Sequence, residues 1–158
     1  MAVRRAQHEI TPWLHSWVKT QSLCGQHVRL ERLNARHLPG LVQAASVEPE
    51  RNFAFTTPPT EQHLRQIIRD AGTVRNCTRL PFAVIDPRTD TPIGSSSYLN
   101  IDSSNRALEV GFTWYTPAVQ RTPVNTETKL LLLTEAFENL HVIRLQFRVD
   151  GRNIRSQT

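Results

Sequence analysis

The sequence predicts an α+β domain: a mixed, mostly antiparallel sheet flanked by helices, containing one β-α-β unit. Three observations carry this. Hydrophobic spacing changes from a helical period to a period of two near Leu80. Three alternating runs then follow one another across short turns, as an antiparallel meander does. A long helical segment separates the third run from a last alternating one. That crossover makes the final strand pair parallel and right-handed.

The elements follow in order. Thr11-Pro12 has the form of a helix start, with Trp13, Leu14, Trp17 and Val18 on one face. Residues 1–22 read as an appendage to a domain over 23–158. His27 to Leu33 alternates apolar and polar and reads as a strand. Residues 35–46 read as a helix despite Pro39 and Gly40 near its start. Thr57-Pro58-Pro59-Thr60 is a loop. Thr60 caps a second helix, with Leu64, Ile67 and Ile68 inside and Glu61, Arg65 and Arg69 outside.

Pro81 to Ile85 is a strand, Asp86 to Asp90 a turn, and Pro92 to Asn100 a second strand. After Asp102-Ser103-Ser104-Asn105 comes a third, Ala107 to Tyr115, stopped by Thr116-Pro117. Thr122 and Pro123 repeat the N-cap and first-position pattern. The helix they open runs to about Leu140, with Leu130, Leu133, Phe137 and Leu140 turned inward. In the last strand Ile143, Leu145, Phe147 and Val149 share one face, and Arg144, Gln146 and Arg148 the other. Gly151 to Thr158 reads as the start of a further helix.

Composition narrows the class. At 158 residues the chain is long enough for one domain with its own core, and short for two. Apolar residues at 39% and charged residues at 21% fit a soluble globular protein. Cys24 and Cys77 have no metal-site or disulfide spacing, and are expected as reduced thiols in a cytoplasmic protein. No apolar run reaches the ~18 residues of a membrane span. The net charge is +5, but the longest basic run is Arg4-Arg5, so nucleic-acid binding is not the expected role. The charge suits an anionic ligand instead. Ser95, Ser96 and Ser97 lack a partnered histidine and acid, which argues against a hydrolase.

Four segments resemble the GNAT N-acetyltransferases, in their RimJ/RimL-like branch, from Cys24 onward. Leu108-Glu109-Val110-Gly111-Phe112-Thr113-Trp114 looks like the family's central strand. Gln120-Arg121-Thr122-Pro123-Val124-Asn125-Thr126-Glu127 occupies the place of its acyl-CoA loop, Q/R-x-x-G-x-G/A. Asn153-Ile154-Arg155-Ser156 looks like its Asn-x-x-Ser segment, and Pro92-Ile93-Gly94 is a typical strand start. The resemblance implies acetyl-CoA as co-substrate and a primary amine of a protein N-terminus or small molecule as acceptor.

The pyrophosphate would meet the helix start at Gln120, Arg121, Thr122, Val124, Asn125 and Thr126. Unpaired N–H groups and the positive end of the helix dipole gather there. The pantetheine arm would pair with Thr113, Trp114 and Tyr115, and backbone N–H groups near the last two would face the developing oxyanion. Asn153 and Ser156 complete the expected cofactor contacts. Glu109 would accept the amine proton, directly or through water. By itself it reads equally as a strand glutamate paired with Arg106 or another arginine. Simple alternation sets Val110 and Phe112 opposite Glu109, Gly111 and Thr113, and Gly111 leaves room beside the carboxylate. Arg51 to Phe55 would form the substrate loop, or core.

Two departures from the family stand out. Pro123 replaces a glycine of the loop and removes an N–H donor, and Asn125 stands where Gly or Ala is usual. The family also continues the last helix and adds strands, and that helix carries the tyrosine or similar group that protonates the leaving thiolate. The sequence therefore reads as C-terminally incomplete, its last strand an open apolar edge. Either a second copy or another chain completes the sheet, or the chain is a truncated product of reduced stability and activity. The alternative function is a non-catalytic remnant, binding CoA or a partner protein.

Overall fold

The computed structural model describes residues 22–49, 59–71 and 79–157. The helix expected after Thr11, the aromatic segment 51–55 and Cys77 lie outside the described residues. Among the described residues, six strands form one sheet in sequence order: β1 (Ser22–Cys24), β2 (Arg29–Arg32), β3 (Arg79–Asp86), β4 (Thr91–Asp102), β5 (Ala107–Tyr115) and β6 (Arg144–Phe147). All neighbours are antiparallel except β5 and β6, which are parallel as the helical crossover requires. β1 is the one strand with no sequence signal, because three residues are too few to show a period.

Among the same residues, four helices accompany the sheet: α1 (Leu38–Ser46), α2 (Glu61–Ala71), α3 (Pro123–Thr134) and the short α4 (Ile154–Gln157). A 3₁₀ turn, Ala35–His37, leads into α1, capped by the Asn34 side chain on the Arg36 N–H. Pro39 falls in the first turn of α1, where its missing N–H costs nothing. Thr60 caps α2 through the His63 N–H, at 3.1 Å. Thr122 caps α3 through the Val124 N–H, with Pro123 in first position.

Alternation along β3 separates two cores. Leu80, Phe82 and Val84 join Leu30, Tyr98, Leu108 and Val110 on the α3 face. Ala83 and Ile85 join Leu33, Leu41, Leu64 and Ile67 on the α1/α2 face. Phe82 and Tyr98 meet edge to face, centroids 5.5 Å apart, and the Tyr98 hydroxyl donates to the Leu132 carbonyl at 2.6 Å.

The inward face of α3 differs from expectation. Val124, Thr128, Leu132, Ala136 and Leu140 are buried, whereas Leu130 and Phe137 are exposed. Four consecutive leucines are apolar all round the helix, so they do not fix its phase. The capped start at Thr122 and the crossover to β6 do. A wider π-type turn, Glu135–Asn139, then brings Leu140 back onto the sheet. On β6 and beyond it, Ile143, Phe147, Val149 and Ile154 are exposed, so the expected apolar strip is open among the described residues.

α3 is tied to the β1–β2 turn by Glu127. Its carboxylate accepts the N–H groups of Gln26, His27 and Val28 at 2.8, 2.6 and 2.9 Å. Burial pushes its carboxyl up, but these three donors outweigh it and hold it below the usual carboxylate range. A depressed folded value means the contribution is full above the unfolded pKa of about 4.3. It is lost as pH falls through the lower folded value. Glu127→Gln should therefore lower stability at pH 7, by about 1–2 kcal/mol. The gap to wild type should close in acid, as urea melts at pH 7 and pH 3 would show. An equal gap at both pH values would mean that charge on Glu127 is irrelevant.

Candidate active site

The site is built on an irregularity in β5. Up to Val110 the strand pairs with β6, Glu109 opposite Gln146 and Val110 opposite Phe147, and there the pairing stops. From Gly111 to Tyr115 the edge of β5 has no β6 partner. On its other side, Ser97 pairs with Gly111 but Ser95 with Trp114, so Phe112 and Thr113 together face Ser96. This is a β-bulge. Phe112 takes φ 48°, a left-handed conformation rare for a bulky aromatic residue.

The bulge overturns the simple alternation expected for this strand. Leu108 and Val110 point to the α3 core, and so does Tyr115. Trp114 packs on the α1/α2 core. Phe112 does not share the buried face of Val110. It is 58% exposed, and the Arg79 guanidinium carbon lies 4.4 Å from its ring centroid.

A cleft of about 790 Å³ opens where β5 leaves β6. That is within the range of small-molecule sites. Its floor is Glu109 to Trp114. His63, Leu64 and Ile67 of α2 wall one end, and Lys129 and Leu133 of α3 the other, so the cleft passes through the sheet. Phe147 to Asp150, with Asn153 and Ser156, form the β6 side.

Glu109 is 5% exposed and lies on the α1/α2 face. Its Oε2 accepts from Asn100 at 2.9 Å, Gln146 at 3.4 Å and the Arg148 Nε at 2.7 Å. The partner arginine is thus Arg148 rather than Arg106. Burial pushes the carboxyl up, but the hydrogen bonds from Arg148, Asn100 and Gln146 outweigh it and keep it below the usual carboxylate range. Oε1 faces Gly111, where a Cβ would stand 3.3 Å from it and 2.8 Å from Leu99 Cδ1. The bare glycine therefore keeps space open beside an ionised carboxylate.

Of the residues expected from the sequence, Glu109, Thr113, Trp114, Asn153 and Ser156 line this one cleft. The Tyr115 and Val124 side chains are core. Gln120 Nε2 donates to the Tyr115 carbonyl at 3.3 Å. Arg121, Thr122, Asn125 and Thr126 are exposed at the start of α3, with Arg121 in a left-handed conformation, φ 61°. Neither Tyr115 nor any of the residues from Gln120 to Thr126 lines the cleft. Both tyrosines of the chain, Tyr98 and Tyr115, are core residues, and burial pushes the Tyr115 phenol up to about 12. Neither phenol lines the cleft.

Sequence reasoning missed Arg148, Gln146, Asn100 and Arg79. The polar face of β6 was visible as Arg144, Gln146 and Arg148, but its register against Glu109 was not. Arg79 carried no signal, because it is the first residue of its strand. No helix among the described residues is long and apolar enough to cross a membrane.

Comparison with known proteins agrees with this architecture. The acetyltransferase (GNAT) domain family matches residues 27–158. A GCN5-related N-acetyltransferase from Brucella melitensis is similar at 29% identity and a TM-score of 0.71, over 87% of this chain and 65% of that one. The chain thus spans somewhat under two thirds of that relative. A T. thermophilus protein assigned as an acetyltransferase shares 34% identity at a TM-score of 0.67, over 87% of this chain and 71% of that one. A Vibrio cholerae spermidine N-acetyltransferase, solved with CoA and spermine, shares the fold at 16% identity, a TM-score of 0.68, and coverage of 84% and 77%. No protein with a curated description matches in sequence. A family match over most of the chain, together with a splayed central strand beside a buried glutamate, makes this chain a member of the GNAT acetyltransferase family, in its RimJ/RimL-like branch.

Proposed function

We propose that the chain transfers acetyl from acetyl-CoA to a primary amine of a protein N-terminus or small molecule. The observation that carries this is the run of β5 from Gly111 to Tyr115 that β6 leaves unpaired, opening into a cleft beside Glu109. Such an edge suits an extended amide chain, which can pair with it as an added strand does. Thr113, Trp114 and Tyr115 would hold the pantetheine arm through backbone. Asn153 and Ser156 would hold it from the other wall. Gln120, Arg121, Thr122, Val124, Asn125 and Thr126 would face the phosphates at the α3 start. Acetyl-CoA supplies an activated thioester.

The role left to Glu109 is to receive the amine proton. Held below the usual range, it is a weak base. It therefore suits an α-amino group, pKa about 7.7–8.0, better than a lysine near 10.4.

The test is calorimetric titration with acetyl-CoA, followed by thiol release with a panel of amines. Saturable binding and amine-dependent thiol release are the expected result. Arg121→Ala should weaken acetyl-CoA binding about three- to tenfold, as loss of a charge-assisted phosphate contact would. Equal affinity would put the pyrophosphate elsewhere. A non-catalytic, partner-binding role is the second reading, favoured by the exposed Ile143, Phe147, Val149 and Ile154. A folded protein that fails to bind acetyl-CoA would support it.

A further inference from the structure

The last rung between β5 and β6 is Val110 opposite Phe147. Beyond it the two strands part, so this rung closes the inner end of the cleft. Two charged groups flank it from opposite faces of the sheet. Glu109, one residue before the rung, lies on the α1/α2 face and accepts from Gln146. Val110 belongs to the α3 core, and its partner Phe147 carries the Lys129 ammonium 5.6 Å from the ring centroid. Lys129, on α3, lines the same cleft.

Three features single out this lysine. Among the described residues it makes no ion pair, because the carboxylates lining the cleft have arginines of their own: Arg148 on Glu109 and Arg152 on Asp150. It is half-buried and rests on a ring face, which holds its charge in place but takes none of its three N–H donors by an oxygen. Its place along the cleft is also particular. As the crossover between two parallel strands, α3 runs back along them, from the Tyr115 end of β5 towards the Val110 end. Lys129 stands about 9 Å along that helix from Pro123. With the phosphates at the α3 start and the pantetheine arm on Thr113 to Tyr115, the thioester reaches the closed end of the cleft, where Lys129 and Glu109 face each other across the rung.

We infer that Lys129 is a further catalytic residue of the proposed transfer, meeting the leaving thiolate from the α3 face while Glu109 meets the amine from the other. The amine lone pair attacks the thioester carbonyl carbon and the C–N bond forms. The C–S bond then breaks and its electron pair stays on sulfur. Lys129 gives a proton to that sulfur, and Glu109 takes one from nitrogen. The products are the amide and the free thiol. Lys129 regains its proton from water and Glu109 releases its own there, so no further reactant is needed. This role rests on the acetyltransferase function proposed above.

The experiment uses CoA itself on the full chain, with no acceptor and no turnover. The thiol of bound CoA is titrated by its thiolate absorbance, as the difference between the complex and the free chain, beside free CoA. A positive charge close to the sulfur should make the bound thiol titrate about one pH unit or more below the free one. Lys129→Met keeps the length of the side chain and its packing on Phe147, and should abolish that shift. Lys129→Arg should keep part of it. In turnover, Lys129→Met should lower kcat about 10²-fold with acetyl-CoA affinity unchanged. A bound thiol that titrates with free CoA, or a shift that survives Lys129→Met, would overturn the inference. So would a Lys129→Met variant that loses acetyl-CoA affinity and keeps kcat, which would set Lys129 against the phosphates instead. A folded chain that binds no CoA would overturn the acetyltransferase function and this role with it, whereas binding with an unshifted thiol would overturn the role alone.

Discussion

Replacing Glu109 by glutamine is expected to lower turnover by roughly 10²–10⁴-fold, the usual contribution of a positioned proton acceptor. Acetyl-CoA affinity should hardly move. The amide keeps the size of the carboxylate, and its side-chain oxygen can still accept from Asn100 and Arg148. What it loses is the negative charge facing the space over Gly111. The Arg148 guanidinium is largely solvent-exposed, so losing the ion pair should cost little stability. Thiol-release kinetics with calorimetry on the same sample would separate the two quantities. Unchanged kcat would remove Glu109 from the mechanism and leave it as a strut between β5 and β6.

The pH profile should agree. Because its carboxyl is held below the usual range, Glu109 is already ionised throughout pH 6–9. The rise of kcat/KM with pH should therefore track the acceptor amine. It should move when the acceptor is changed and stay when Glu109 is.

A second large effect is expected from Gly94→Ala. A Cβ there would stand 2.2 Å from the Trp114 carbonyl oxygen and 2.9 Å from the Tyr115 ring. The first contact is backbone and cannot rotate away. Relief requires β4 and β5 to part just where the bulge begins, between Ser95 and Ser97. Overpacking of this kind costs about 1–3 kcal/mol, and backbone involvement places it at the upper end. For a chain of this size that lowers Tm by roughly 6–12 °C. Thermal melts of the variant decide the point. A melt within a degree of wild type would show that the strands separate freely here, and that the cleft floor is softer than its pairing implies.

The fold was largely legible because long elements repeat their signal. β3, β4 and β5 run for eight or more residues each between turn signals, and α2 shows Leu64 and Ile67 inward with Glu61 and Arg65 paired outside. The phase of α3 was not legible, since Leu130 to Leu133 offers no polar side. Nor was the bulge. Nothing in Gly111-Phe112-Thr113 distinguishes a regular strand from one that holds two residues against Ser96. The site was legible only where it runs along one strand or one helix start. Glu109 and Thr113 could be named from the sequence. Arg148, Asn100 and Arg79 reach the cleft through sheet register, which depends on three other strands.

The bulge also makes the cleft sensitive to length rather than to composition. One residue fewer between Gly111 and Thr113 would let β5 run straight. Trp114 would still face Ser95 and Tyr115 would still face Gly94, so both would keep their sides of the sheet. What would be lost is the extra residue that turns the Phe112 ring out beside the cleft. In a mutational survey of the chain, a single-codon deletion at this point should therefore lower activity far more than stability, because it reshapes the cleft floor while leaving the core side chains beyond it in place.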